Sequence, residues 1–356
     1  MEKVIYQFAL EGKPLKCEPH GFGHINRTYL VETDAGKRYI LQWVNGTVFP
    51  DLHGLMQNVV SVTDFIATKS EDPREALHLV LTNEGKFYME TEEGDLWRVY
   101  DYVEDSICLQ RPECPEDLYE SAIAFGTFQN RLADFPAEIL TETIPNFHNT
   151  PDRYRKFRAA LEADVCGRAA GIQPEIDFVL AHEGEADTLV RLQAEGKLPT
   201  RVTHNDTKLN NVMLDAATRK ALCVVDLDTV MPGLAAYDFG DSIRFGAATA
   251  DEDEKDLDKM EMSLDAFEIY TRGFLTACTS LTDLERETLP LGAKLMTLEC
   301  GVRFLTDYLE GDHYFAIHRP EQNLDRARTQ FKLVRDMEKK WDQMAAIVAR
   351  LSHDIV

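Results

Sequence analysis

Between Val202 and Leu214 the chain reads Val-Thr-His-Asn-Asp-Thr-Lys-Leu-Asn-Asn-Val-Met-Leu, and Asp226 then follows the apolar run Leu222-Cys223-Val224-Val225. The pattern is His204-x-Asp206, then Asn211 five residues on, then an aspartate after a strand-like stretch. Phosphoryl transfer to a hydroxyl asks for these residue types: a carboxylate to accept or orient the proton of the attacking hydroxyl, and oxygen ligands that hold Mg2+ on the phosphates. Asp206 suits the first task. Asn211 can return across the loop to present an amide oxygen, and Asp226 can supply a carboxylate to the same ion. The three side chains converge if the two short apolar stretches around 212–214 and 222–225 pair as strands.

The neighbouring residues have plainer readings. His204 is expected to brace the loop through hydrogen bonds, because Asp206 already fills the acid–base role. Asp228 stays open between a metal contact and a cap on the turn before Met231-Pro232-Gly233. Asp238-Phe239-Gly240 lies too late after the His-x-Asp loop to be a metal-binding Asp-Phe-Gly, so Asp238 is expected to be structural.

The elements that must position these groups divide at about residue 104. From Arg27 to Glu104 the segments RTYLVET, KRYILQWVN, HLVLTN, KFYMET and DLWRVYDYVED are separated by Gly-containing turns and predict a mostly antiparallel sheet. One amphipathic helix interrupts it, from about Leu52 to Thr68, with Leu55, Val59, Val62 and Ile66 at helical spacing. Beyond Ser106 the periodicity is helical, beginning with Leu118 to Phe135 and ending in one long amphipathic helix from Asn323 to Leu351. The expected organisation is a β-rich lobe, residues 1–104, on the nucleotide side, and a helical lobe, residues 105–356, carrying the catalytic loop. The fold class is α+β, with the stretch around Val103 to Cys108 as hinge.

A formal charge of -24, from 38 basic and 62 acidic residues, repels nucleic acid and anionic lipid and would repel ATP too. A nucleotide-using enzyme of this charge must neutralise phosphates locally, most simply with a divalent metal. The seven cysteines form no CxxC pair and read as free thiols, most of them core filler. The first residues, MEKVIYQFALEGK, carry no cationic segment followed by a long apolar run, so a cytoplasmic location is expected. No zinc-type spacing of cysteine and histidine occurs. The acidic run from Asp251 to Asp258 is expected to be solvated.

These motifs resemble the aminoglycoside phosphotransferase and choline kinase superfamily, whose fold is similar to that of protein kinases. The wording of GFGHIN at 21–26, VTHNDTKLNN at 202–211, DLDTVMPG at 226–233, YDFGDSIRFGA at 237–247 and ECGVRFLTDYLEGDHYF at 299–315 is similar, over essentially the whole chain, to the N-acetylhexosamine 1-kinases. The resemblance implies a protein-kinase-like two-lobe fold, ATP and Mg2+ as cofactors, Asp206 as base, and Asn211 and Asp226 as metal ligands. It implies a sugar site at His24, Phe245, Arg303 and Tyr314. A nucleotide site is expected at Gly21 and Gly23 in the phosphate-covering turn, at Gln42, and at the backbone of Tyr102, Val103 and Glu104. A small-molecule sugar is the expected partner of a monomer.

Two departures stand out: the third-strand lysine is replaced, and the turn Gly21-Phe22-Gly23-His24-Ile25-Asn26 is poorer in glycine than GxGxxG. Related kinases carry a lysine on the third strand, where this chain has Gln42, and the following helix offers no glutamate to pair with one. Phosphate binding then falls on metal, backbone amides and Arg38 or Arg98. The acceptor could instead be an aminoglycoside, choline, homoserine or another sugar, towards which the net negative charge leans if the acceptor is a cation. A pseudokinase that senses nucleotide without turnover is the reading from another class, and the intact Asp206, Asn211 and Asp226 argue against it.

Overall fold

The alternation between Arg27 and Glu104 folds as a five-stranded antiparallel sheet in a computed structural model that describes residues 2–21 and 25–355. Gly23 and His24 lie outside the described residues. After a helical turn, α1 (Glu2–Ile5), the strands are β1 (Pro14–Pro19), β2 (Arg27–Thr33), β3 (Arg38–Val44), β4 (Met89–Glu90) and β5 (Leu96–Asp101), in the order β1-β2-β3-β5-β4. The stretch His78–Asn83 does not become a strand; Leu79 and Thr82 make only single bridges, to Tyr100 and Phe8. Helix α2 (Leu52–Ala67) starts where expected, its cap Asp51 accepting the Gly54 N–H, and buries Leu55, Met56, Val59, Val62 and Ile66. Burying each such side chain contributes about 1.5–3 kcal/mol.

Pleating decides the two faces of this sheet. Val31, Tyr39, Leu41 and Val99 point to one side and pack with Val4, Ile5 and Phe8. Gln42 and Arg98, a register pair on β3 and β5, point to the other. The extended stretch after the sheet does not lead straight into helix: β6 (Ser106–Cys108) pairs with β8 (Val212–Asp215), which pairs with β9 (Ala221–Val224). These belong to one compact unit formed by residues 1–108, 134–145 and 211–232. Buried Asn58 of α2 knits it together, donating to the carbonyls of Thr141 (2.7 Å) and Val230 (3.0 Å) and accepting from the Thr141 N–H (2.8 Å).

The other compact unit comprises residues 109–133, 146–210 and 233–356. It carries α3 (Pro115–Arg131), α4 (Thr150–Ala163), α5 (Gln173–His182), α6 (Thr188–Ala194), strand β7 (Arg201–Thr203), α7 (Ala235–Gly246), α8 (Leu264–Ala277), α9 (Asp283–Glu310), α10 (Gln322–Lys339) and α11 (Trp341–Ile355). Its core joins Tyr154, Phe157, Val179, Leu298, Val302, Leu305 and Phe331. Helices α7 and α9 meet so closely that a Cβ on Gly240 would lie 2.3 Å from the Gly292 carbonyl oxygen, which explains the glycine in the Asp-Phe-Gly sequence. The expected long terminal helix is two helices. At the break the Lys340 ammonium donates to the Met262 carbonyl (2.7 Å) and binds Asp336 (2.7 Å), ending α10. All seven cysteines are free thiols; Cys223 and Cys278 are buried, Cys17 and Cys300 pack against core clusters, and Cys108 and Cys166 are exposed.

No helix among the described residues is long and apolar enough to cross a membrane.

Candidate active site

The catalytic-loop candidate follows β7 and is held by one face of α7. Asp238, fully buried, accepts the N–H groups of His204 (2.9 Å) and Asn205 (2.8 Å), and the Gln129 side-chain amide (2.6 Å). One turn on, Asp241 accepts the Thr207 N–H (3.0 Å), while the Thr207 hydroxyl donates to the Asp238 carbonyl (2.7 Å). Asp238 is thus structural, as its late position indicated. Burial pushes its carboxyl above the usual range, against the charge of His204 and the donated N–H groups. His204 braces the loop as expected: its ring is buried edge-on to Phe125 and Phe128, and its Nδ1 accepts the Asp206 N–H (3.3 Å). Asn205 takes a left-handed φ of 66°, a turn that a short polar side chain tolerates. The Asp206 carboxylate lies 2.9 Å from the Lys208 ammonium and keeps access to solvent.

A buried arginine extends this support into the acidic run. Arg244 Nε donates to Asp241 (3.0 Å) and its Nη1 to Glu252 (2.7 Å). Asp251 pairs with Arg111 (2.5 Å) and Asp253 with Arg319 (3.4 Å). The first half of the run therefore carries ion pairs on a loop that stays partly solvated, with Asp251 exposed. Burial works to raise the Asp241 carboxyl, yet Arg244, with His148 and Lys208, outweighs it and holds the group below the usual carboxylate range.

Three charged residues of α9, Glu299, Arg303 and Asp307, stand one turn apart on one face. Glu299, buried, binds His148 Nδ1 (2.9 Å) and the Thr150 hydroxyl (2.7 Å), and His148 Nε2 lies 3.4 Å from the Asn205 carbonyl oxygen. Burial tends to raise Glu299, but His148, Arg153 and Thr150 together hold it low. Asp307 gathers the N–H groups of His313 (2.9 Å), Tyr314 (2.8 Å) and Phe315 (3.0 Å), shaping the turn that carries Tyr314. Between them Arg303 sits over the rings of Phe147 (5.2 Å), Phe315 (5.4 Å) and Tyr314 (5.7 Å), and its Nη2 is 3.5 Å from the Tyr314 hydroxyl. Arg303 and Tyr314 come together, and among the described residues Arg303 has no carboxylate partner. Tyr314 is 63% exposed and Phe245, at the end of α7, 39%, so neither is a packed core aromatic.

In the first unit, β8–β9 pairing is the arrangement that the site requires. The Val225 N–H donates to the Asn211 carbonyl (2.9 Å), which sets Asn211 beside Asp226. Asp226 has a left-handed φ of 62° at the end of β9. An amide and a carboxylate oxygen fit a hard divalent cation. Gln42 lies at the third-strand position and its Oε1 accepts both Nε (3.0 Å) and Nη2 (2.9 Å) of Arg98. Arg98, 1% exposed, turns its Nη2 to Asp228, 3% exposed, at 2.6 Å. Asp228 also accepts Asn26 Nδ2 (2.5 Å), so its carboxylate does not cap the turn before Met231. Burial opposes the charge of Arg98, and Asp228 and Asp226 outweigh it, raising the guanidinium. Sequence spacing hides this pair, because strand register rather than chain distance makes it.

Of the other residues expected at the nucleotide site, Gly21, Tyr102, Val103 and Glu104 fall among the described ones. Gly21 takes a φ of 79°, which suits glycine. The Tyr102 N–H donates to the Arg38 carbonyl (3.2 Å), the Val103 carbonyl accepts the Ser106 hydroxyl (2.6 Å), and Glu104 binds Arg38, whose guanidinium lies 4.2 Å from the Tyr102 ring. Arg38 is thereby engaged on an exposed edge, and Arg98 is the buried cation next to Gln42. Lys208 and Arg153 complete the charged groups that motif reading passed over; the signal for Lys208 was its position two residues after Asp206.

Residues 16–261 match the phosphotransferase enzyme family. Among solved structures, a microcompartment-associated aminopropanol kinase superposes with a TM-score of 0.65 at 15% identity, covering 97% of each chain. An amicoumacin kinase in complex with AMP-PNP, Ca2+ and Ami gives 0.61 at 11% identity over 94% of this chain and 91% of that one. An ethanolamine kinase of Plasmodium vivax gives 0.54 at 14% identity over 88% and 82%. The fold is protein-kinase-like, an antiparallel sheet followed by a mainly helical part. On the match across most of its length, the chain belongs to the phosphotransferase enzyme family.

Proposed function

We propose that the chain is an anomeric kinase that uses ATP and Mg2+ to phosphorylate the C1 hydroxyl of N-acetylglucosamine or N-acetylgalactosamine. The observation that carries the acceptor choice is the Arg303 cluster: a guanidinium without a carboxylate, enclosed by Phe147, Phe315 and Tyr314. Aromatic rings suit the apolar face of a sugar, and an unpaired cation suits an uncharged acceptor rich in oxygen. The cluster is tied to the catalytic loop through the neighbour of Phe147, since His148 reaches the Asn205 carbonyl.

In this reading Asp206 takes the proton of the anomeric hydroxyl as its oxygen attacks the γ-phosphorus and ADP leaves. That hydroxyl is more acidic than an ordinary alcohol, so one carboxylate suffices. Asn211 and Asp226 hold Mg2+, which when bound neutralises phosphate charge. Arg98 stands beside Gln42 at the place of a third-strand lysine, but Asp228 already answers its charge, so phosphate neutralisation falls to the metal and backbone amides, and the intact Asp206, Asn211 and Asp226 are what speak against a pseudokinase. The resemblance assigns Phe245, and His24 outside the described residues, to sugar contacts, and Gly21, Gly23, Tyr102, Val103 and Glu104 to nucleotide contacts. Localisation in the cytoplasm and a monomeric state belong to the same proposal.

A second reading, a related kinase with an amine-bearing acceptor, draws on the similarity to aminopropanol and ethanolamine kinases and on the charge of -24. Phosphorus NMR of the protein with ATP, Mg2+ and N-acetylhexosamine separates the two. A sugar 1-phosphate resonance is the expected result. Its absence, with ATP consumed on an amino alcohol or aminoglycoside, would replace the first reading by the second.

A further inference from the structure

A second guanidinium stands beside Arg303, and nothing in the sequence motifs points to it. Arg153 rises from the first turn of α4, and its Nη2 donates to the Phe147 carbonyl at 2.5 Å, while Arg303 covers the Phe147 ring. Two cations thus converge on one residue. Among the described residues neither forms an ion pair at hydrogen-bonding distance, and Arg153 Nε is buried with no hydrogen-bond partner. Leaving a buried donor unmet costs about 1–3 kcal/mol, and juxtaposed like charges add to that cost. Burial and the charge of Arg303 lower the Arg153 guanidinium, against the opposing charge of Glu299.

The arginines of a neighbouring surface cavity, about 570 Å³, make the contrast. Arg168 there binds Asp312 at 2.6 Å, and Arg319 binds Asp325, so their charges are already answered. Arg153 and Arg303 keep donors available in a protein with an excess of carboxylates, which selects oxygen acceptors and repels ammonium groups.

We propose that Arg153 is a specificity-determining residue of the acceptor pocket, which with Arg303 receives the acyl carbonyl oxygen of an N-acylated amino sugar and excludes the free amino sugar. This rests on the sugar-kinase reading and narrows it, since acylation converts the 2-substituent from a cationic donor to a neutral acceptor. A kinase of cationic acceptors would need carboxylates at this place.

The test compares N-acetylglucosamine with glucosamine on the wild-type protein and on Arg153→Gln and Arg153→Lys, with Arg155→Gln as an exposed control. Wild type should favour the acylated sugar in kcat/KM by about a hundredfold. Arg153→Gln should raise the N-acetylglucosamine KM by about ten- to a hundredfold, leave the ATP KM within about twofold, and narrow the preference; Arg153→Lys should retain part of it. A folded Arg153→Gln with unchanged KM and preference overturns the inference while leaving the sugar-kinase reading intact. If wild type phosphorylates neither sugar, that reading fails, and calorimetric titration of the same two sugars decides separately. Binding of the acylated form that is lost in Arg153→Gln upholds the role of Arg153, and absence of any preference ends it.

Discussion

At the scale of single residues, the proposed chemistry rests on Asp206 and the buried charge on Arg98. Asp206→Asn should lower kcat by roughly 10²–10⁴ while nucleotide affinity, read by titration calorimetry, is nearly retained. A variant with near-normal turnover would remove Asp206 from its role as base. Arg98 is a structural as well as an electrostatic group, because it shares a dry environment with Asp228. Arg98→Met leaves that carboxylate buried and uncompensated, and should cost about 3–5 kcal/mol in urea unfolding. Arg98→Met combined with Asp228→Leu should recover a large part of this loss. Equal instability of the double variant would mean that packing, not charge, accounts for the effect.

At the scale of elements, α7 and α9 organise the loop through buried carboxylates, and their titration has a definite sign. Asp241 and Glu299 are both held below the usual carboxylate range in the folded protein. Their stabilisation is present above the unfolded-state value, about 4, and is lost as pH falls through the lower folded values. Stability measured by urea unfolding should therefore decline on acidification below about pH 5, and Glu299→Gln should be less stable at neutral pH with a shallower acid decline. An unaltered acid limb would show that the His148–Glu299 contact contributes nothing. Arg244→Met should loosen Asp241 from Thr207 and lower kcat more than it alters either KM; equal changes in all three would indicate a general folding defect instead.

Much of this element layer could be read from the chain. Alternation located β2, β3 and β5, and period and capping located α2, because each buries one face and repeats its pattern long enough to be seen. The stretch 78–83 has strand-like composition but only isolated bridges, since composition does not provide a partner. The terminal helix broke at Lys340, where a side chain reaches a carbonyl distant in sequence, which no periodicity reports. The pairing of β8 with β9, which the reading of Asn211 and Asp226 called for, was legible because two short apolar runs flank a turn. Gln42–Arg98–Asp228 and Arg153–Phe147–Arg303 were not, because register and helix packing bring them together.

On the scale of the whole molecule, the first unit is discontinuous in sequence. Residues 1–108 include Arg98 but not Asp228, and β6 but not β8. A fragment ending at residue 108 should lack a cooperative urea transition by circular dichroism, since it carries a buried cation without its counter-charge and a strand without its neighbour. A sharp transition in that fragment would show that the later segments are dispensable.

The same discontinuity has a consequence for how the chain emerges from the ribosome. About 120 residues must be synthesised after Cys108 before Asp228 and strand β9 are available to the sheet that precedes them. At ordinary translation rates this interval is on the order of ten seconds. During it the nascent sheet exposes an unfinished charged centre, and a chaperone that shields it would act on a window set by the order of the gene rather than by the speed of folding.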